Sequence, residues 1–186
     1  QPVGYGASSG DCDDTRDFIF PGAAEVCDGF DNNCNLLTDD ADAGLDLSTA
    51  TSWYEDTDED GYGGALLDVS CDPPTVTSVA VDGDCNDLNE DINPGAIEVC
   101  DGNDNDCNEL PDDDDPGLDL SSAVPWYSDV DHDGWGSGLI GATCAPPPSS
   151  SGVPGDCNDG DAAVNPDADE VCDGQDNDCN EFTDDD

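Results

Sequence analysis

Two short stretches carry the residues best suited to chemistry, Asp56-Thr-Asp58-Glu-Asp60-Gly61 and Asp129-Val-Asp131-His-Asp133-Gly134. Carboxylates at positions 1, 3 and 5 of such a loop converge on one hard cation. Glycine at position 6 permits the sharp bend, and the residue at 7 offers its carbonyl. Tyr62 and Trp135 hold that seventh place. Three carboxylates gathered by a turn repel one another unless a cation sits between them. The pattern therefore predicts calcium at both loops. It departs from an EF-hand at position 12, where Leu67 and Ile140 replace the bidentate acid, so another acid or water must complete the shell.

A second set of acids recurs three times. Asp14, Asp87 and Asp159 correspond, as do Glu25, Glu98 and Glu170; Asp28, Asp101 and Asp173; and Asp31, Asp104 and Asp176. Asn33 answers to Asp106 and Asp178. Counted from Asp87 as position 1, Asn89, Asp91 and Glu98 stand at 3, 5 and 12, an oxygen ladder without its glycine; Asp161 takes the place of Asn89 in the third copy. The first copy breaks the ladder with Arg16 and Phe18. The shared acids are thus better ligand candidates than the ladder. The competing reading is a disulfide-closed loop of Asx turns that needs no metal.

These residues lie on a strict period. Cys12, Cys27 and Cys34 return as Cys85, Cys100 and Cys107 and again as Cys157, Cys172 and Cys179, while Cys71 and Cys144 form a fourth class. Residues 1–10 read as the tail of a preceding repeat, 11–83 as repeat 1, 84–155 as repeat 2, and 156–186 as the first half of repeat 3. Both ends fall inside a unit, which predicts a window cut from a longer repetitive chain. The alternative is a mature terminus with Cys12 bonded to another chain. Local disulfides are expected: Cys27–Cys34, Cys100–Cys107 and Cys172–Cys179 within the loops, Cys71–Cys85 and Cys144–Cys157 between units, and Cys12 unpaired. Spacing alone does not fix connectivity.

Glycine, proline, asparagine and aspartate punctuate every segment, so long helices are excluded. Short strands are predicted around Trp53-Tyr54 and Trp126-Tyr127 and at Ala65–Leu67 and Leu139-Ile140. One helical turn is predicted after each proline, at Ala23–Cys27 and Ala96–Cys100. The aromatic residues Trp53, Trp126, Trp135, Tyr54, Tyr62 and Tyr127 are read as a small core beside each loop. Ser48–Ser52 and Ser149–Ser151 read as exposed linkers open to O-glycosylation. The fold class is a small disulfide-rich, calcium-stapled tandem repeat array, mostly loops and turns with short β-strands and little helix.

Composition sets the outer limits. The 186 residues carry 49 acids against one Arg or Lys, a formal charge of −48. Nucleic-acid binding needs a basic face, and anionic membrane surfaces attract cations. No apolar run approaches the roughly 20 residues of a membrane helix. Leu, Ile, Val and Phe total 31 residues, a fraction that by itself predicts disorder. Two counts oppose disorder. Of the acids 41 are Asp, the short carboxylate that suits turns and cation loops. The 11 Cys point to disulfides and an oxidising, extracellular or cell-surface location. His132 is the single histidine, at a loop position whose side chain should point outward. No nucleophile–base pattern occurs, so no enzyme is expected.

The run Asp84-Cys-Asn-Asp, then Pro94-Gly-Ala-Ile-Glu-Val-Cys100-Asp-Gly-Asn-Asp-Asn-Asp-Cys107-Asn, resembles the MopE-type metal-binding repeat of secreted bacterial surface proteins, as does Trp126-Tyr with its acidic loop. The resemblance covers nearly the whole chain, and it extends more distantly to the calcium-wrapped type-3 repeats of thrombospondins. It implies an extracellular, repetitive, cation-binding protein and supplies no catalytic activity. The expected role is a filament, matrix component or surface stalk, stiffened by several Ca²⁺ per repeat and self-associating into a homopolymer, with glycans as an optional addition. A secreted metal-sequestering protein and an adhesin segment are the alternatives.

Overall fold

A computed structural model describes residues 10–184. Most of the expected leading tail, residues 1–9, and the last two residues lie outside that range. The chain divides into two compact units at Pro94/Gly95, each built around one small antiparallel sheet. In the first unit β1 (Thr51–Glu55) lies between β2 (Leu66–Ser70) and β3 (Ser78–Val79). In the second, β4 (Val124–Ser128) lies between β5 (Leu139–Thr143) and β6 (Ser150–Ser151). The expected strands at Trp53-Tyr54, Trp126-Tyr127 and Leu139-Ile140 are present, and that expected at Ala65–Leu67 begins one residue later, at Leu66. The stretch Ser149–Ser151 is not a free linker, because Ser150 pairs with Ser128 and Ser151 with Tyr127.

Both sheets carry the same irregularity. The register of β1 against β2 shifts between Trp53 and Tyr54, and that of β4 against β5 between Trp126 and Tyr127. A bulge of this kind bends the strand and re-aims the chain beyond it. In both units that chain is the acidic loop. The indole N–H of Trp53 donates to the carbonyl of Ser70 at 3.1 Å, and that of Trp126 to Thr143 at 3.0 Å. The aromatic residues are thus half-buried cross-strand anchors rather than an enclosed core.

The true apolar interior is minimal. Among the described residues the buried apolar side chains are Ile19, Ile92 and Val164, one for each copy of the Cys-rich block, against fourteen buried polar or charged residues. Such an interior holds together only if its polar atoms find partners, and the disulfides supply the covalent part.

The disulfides differ from the expected local pairs. Cys12 bonds to Cys34 and Cys157 to Cys179, while Cys27 bonds to Cys71 and Cys100 to Cys144. Cys85 and Cys107 are also in disulfides. Cys12, expected to be unpaired, is bonded, and the free cysteine is Cys172, which is exposed. The backbone explains the change. Glu25 forms a parallel bridge with Leu45, and the N–H of Cys27 donates to Thr49 Oγ1 at 3.1 Å. Cys27 is thereby turned toward the segment entering β1, away from Cys34, and meets the far end of β2.

The helical turns expected at Ala23–Cys27 and Ala96–Cys100 do not form. Glu25 is extended, and the described residues coil instead into three short 3-10 turns at Asp39–Ala41, Leu47–Thr49 and Asp112–Asp114. No helix of the described residues is long and apolar enough to cross a membrane.

Candidate metal centres

The acidic loop after β1 is shaped by its own backbone. One oxygen of each carboxylate is engaged by a loop N–H. Asp56 Oδ2 accepts from Gly61 at 3.2 Å, Asp58 Oδ1 from Asp60 at 3.4 Å, and Asp60 Oδ1 from Tyr62 at 2.8 Å. Gly61 has φ +97°, a conformation that glycine adopts without a steric penalty. The second oxygen of each carboxylate, Oδ1 of Asp56 and Oδ2 of Asp58 and Asp60, is buried and has no hydrogen-bond partner. One oxygen from each of the three acids lies within 4.8 Å of the others.

A fourth acid joins them from downstream. The N–H of Gly63 donates to Val81 at 2.9 Å, and the N–H of Asp84 returns to the carbonyl of Gly63 at 3.3 Å. This bridge lays the start of the next repeat along the loop. Asp84 is 8% exposed; its Oδ1 accepts from Asn86 at 2.7 Å, while Oδ2 is buried without a partner. Asp58, Asp84 and Asp87 likewise offer oxygens within 4.8 Å of one another. Asp87 has a different task, since its two oxygens accept from the N–H and hydroxyl of Thr57 at 2.8 and 2.9 Å. It clamps the loop while keeping an oxygen close to Asp58 and Asp84.

The second unit repeats the arrangement. Asp129 Oδ1 and Oδ2 of Asp131, Asp133 and Asp156 are buried without partners, and Asp129–Asp131–Asp159 and Asp131–Asp133–Asp156 form close triads. Asp156 N–H reaches the carbonyl of Gly136 at 3.2 Å. Asp159 takes the clamp role, accepting from Val130 N–H at 2.7 Å and from Ser128 and Ser137 hydroxyls at 2.6 and 3.0 Å. Those hydrogen bonds, that of Ser128 foremost, hold the Asp159 carboxyl below its ordinary value. Burial pushes the carboxyls of Asp84 and Asp156 upward, and the charges of Asp60 and Asp58 or of Asp133 and Asp131 add to the rise. Loops of this kind place like charges together and leave them uncompensated by protein groups.

The acids of the Cys-rich block are used otherwise. Glu25 is fully buried; Oε2 accepts from Asn32 and Asn33 N–H at 2.9 and 3.3 Å, and Oε1 from Asp39 N–H at 3.1 Å. Glu98 accepts from Asn105 and Asp112, each at 2.7 Å. Glu170 makes the same contacts to Asn177, Asp178 and Asp184, the last two at 3.1 and 2.9 Å. The glutamate is the internal anion around which the block winds. Asp28, Asp101 and Asp173 close Asx turns onto Phe30, Asn103 and Gln175, with N–H to oxygen distances of 2.9, 2.8 and 2.8 Å. Asp31, Asp104 and Asp176 accept the N–H groups that turn the chain past the third Cys.

A smaller opening for a cation survives in this block. Glu98, Asp104 and Asp106 form a close triad, and Asp106 Oδ1 is buried without a partner. Burial and then the neighbouring Asp115 push the Asp106 carboxyl upward. In the first copy Asn33 replaces Asp106. Its amide donates to Asp42 at 2.6 Å, while its Oδ1 is the partnerless atom. The predicted ladder separates: Asp87 turns to Thr57, Glu98 to its own loop, and Asp91 is exposed. Asn89 and Asp161 supply backbone turns, the N–H of Asn89 and the carbonyl of Asp161 being engaged. Asp14 is exposed. Arg16 and Phe18, which break the ladder in the first copy, pack with Phe30; the guanidinium lies 4.2 Å from the ring centre and pairs with Asp13.

Four acids escaped the reading of spacing: Asp84 and Asp156 beside the loops, and Asp42 and Asp115 in the blocks. The carboxylates of Asp84 and Asp156 occur at the head of each Cys-rich block, directly before the first Cys. Their recurrence was visible, but not the loop that they would face.

Comparison with known families bears on the same segments. The Cu-binding MopE family model, described as a "Putative metal-binding motif", matches residues 11–40, 84–115 and 156–185. The chain carries three MopE-type repeats. The three MopE matches coincide with the three Cys-rich blocks, and the acidic loops at 56–62 and 129–135 lie between them. No curated protein and no solved structure matches the chain.

Proposed function

We propose that this MopE-type chain is an extracellular structural protein whose repeats are folded and stiffened by calcium. The observation that carries the reading is the set of buried carboxylate oxygens without hydrogen-bond partners, gathered twice over in the acidic loops. A buried carboxylate that lacks a partner is strongly unfavourable, and several side by side compound the cost. A divalent cation is the partner that satisfies all of them at once, and metal binding then becomes part of folding. Each divalent ion bound would neutralise two of the negative charges.

The donor set supports calcium over copper, although the family's printed name refers to copper. The convergent atoms are oxygens, the donors of hard cations, whereas copper sites draw on imidazole, thiolate and thioether. Met is absent from the sequence, the one His is the exposed His132, and ten of the eleven Cys are in disulfides. The chain offers copper little that it prefers. The disulfides support an oxidising, extracellular setting. Repeats that stack only on their neighbours suit an extended array, and self-association would carry that array into a filament.

Exhaustive chelation at neutral pH tests the reading. The circular dichroism of the strands should collapse and protease sensitivity rise. Millimolar Ca²⁺ should restore both, while equimolar Cu²⁺ should not. A thermal melt unchanged by chelation would falsify the proposal.

A further inference from the structure

The site that best fits a cation is not contained in any one repeat. Each acidic loop supplies three carboxylates, yet its position-12 acid is missing, and the buried partnerless oxygen nearest to filling that role belongs to the head of the following block. Asp84 Oδ2 serves the first loop and Asp156 Oδ2 the second. Asp56, Asp84, Asp129 and Asp156 are only 4–8% exposed, so their free oxygens have no solvent to turn to. Asp87 and Asp159, each with an oxygen close to two of the site acids, also tie the loop to the following block through hydrogen bonds.

We propose that residues 56–62 with Asp84, and residues 129–135 with Asp156, each form a composite site for a hard divalent cation that ties one repeat to the head of the next. This rests on the calcium reading above and sharpens it. The family motif is then not a self-contained chelator: its first aspartate completes the site of the preceding loop. The tie also spans 72–83 and 145–155, segments that follow Cys71 and Cys144 and precede Cys85 and Cys157. The bonds Cys27–Cys71, Cys100–Cys144 and Cys157–Cys179 leave the second of these segments unclosed.

The test uses the full chain with Ca²⁺ or Tb³⁺ as the only added metal. Asp84→Asn and Asp156→Asn keep the acceptor for the N–H two residues on and remove only the charge. Each should lose about tenfold or more in affinity at one site per chain, because affinity in such sites follows the number of charged ligands. Trp135 lies against Gly155, where an added methyl would sit 3.7 Å from its ring. Terbium emission excited through tryptophan should therefore fall in Asp156→Asn and persist in Asp84→Asn. Asp91→Asn, in the ladder that the structure separates, should change neither. Calcium should also protect residues 72–83 and 145–155 from protease in the parent chain, and protect the matching segment less in each variant. Parent-like affinity, site number and protection in Asp84→Asn and Asp156→Asn would overturn the composite site while leaving calcium binding intact. No metal bound by the parent chain would remove both readings. If a variant fails to fold even in excess Ca²⁺, Asp58→Asn and Asp131→Asn replace it, and intact junction protection there overturns the proposal.

Discussion

At the scale of single residues the two kinds of acid separate by how their oxygens are employed. Glu98 spends both oxygens on backbone N–H groups, while Asp58, Asp60 and Asp84 spend one and keep the other free. The first kind holds the fold together, and the second is left for the cation proposed above. Glu98→Gln should thus destabilise the calcium-loaded protein by about 2 kcal/mol, since an amide N–H₂ would confront a backbone N–H inside a buried nest. Denaturant unfolding in excess Ca²⁺ measures this, and a loss of metal sites without loss of stability would contradict it. The loop acids were legible because their ligand spacing is local. Asp84 and Asp156 were not, because a backbone bridge from Gly63 or Gly136 brings them in, and nothing in the spacing announces that bridge.

At the scale of elements the sheets act as mounts. The bulge in β1 throws the loop to one side, and Gly63 then packs so closely on β1 that a methyl there would fall 2.5 Å from Tyr54 Cβ and 2.7 Å from the carbonyl of Glu55. Gly63→Ala should push the loop off the strand, costing about 1–3 kcal/mol and weakening cation binding in the first unit only. Calorimetric titration checks the pairing of the two effects. The strands could be read from Trp-Tyr and the leucines because alternation and β-propensity act locally. The helical turn after each proline could not. Its first residues have helical capacity, but burying Glu25 and Glu98 among backbone donors demands an extended chain at that point.

At the scale of the whole molecule the repeat period was plain and the cystine phase was not. A count of intervening residues favours Cys27–Cys34, yet the tertiary path carries Cys27 to Cys71. Only the pairing of Glu25 with Leu45 decides between them. Non-reducing peptide mapping should recover Cys27 with Cys71 and Cys100 with Cys144. A thiol reagent applied to the native protein should label Cys172 and no other cysteine. Recovery of Cys27 with Cys34 would refute this topology. The charge of −48 has its consequence here too: it sets neighbouring segments against one another, so local contacts and disulfides must hold each unit closed.

The cystines of the first unit interleave, for Cys27 lies inside the loop closed by Cys12–Cys34 while its partner Cys71 lies outside. A backbone cut anywhere between Cys12 and Cys71 is consequently bridged by at least one of the two. Protein nicked there would migrate as a single band on a non-reducing gel and fall apart only after reduction. Proteolysis in that stretch would therefore nick the chain without releasing a fragment.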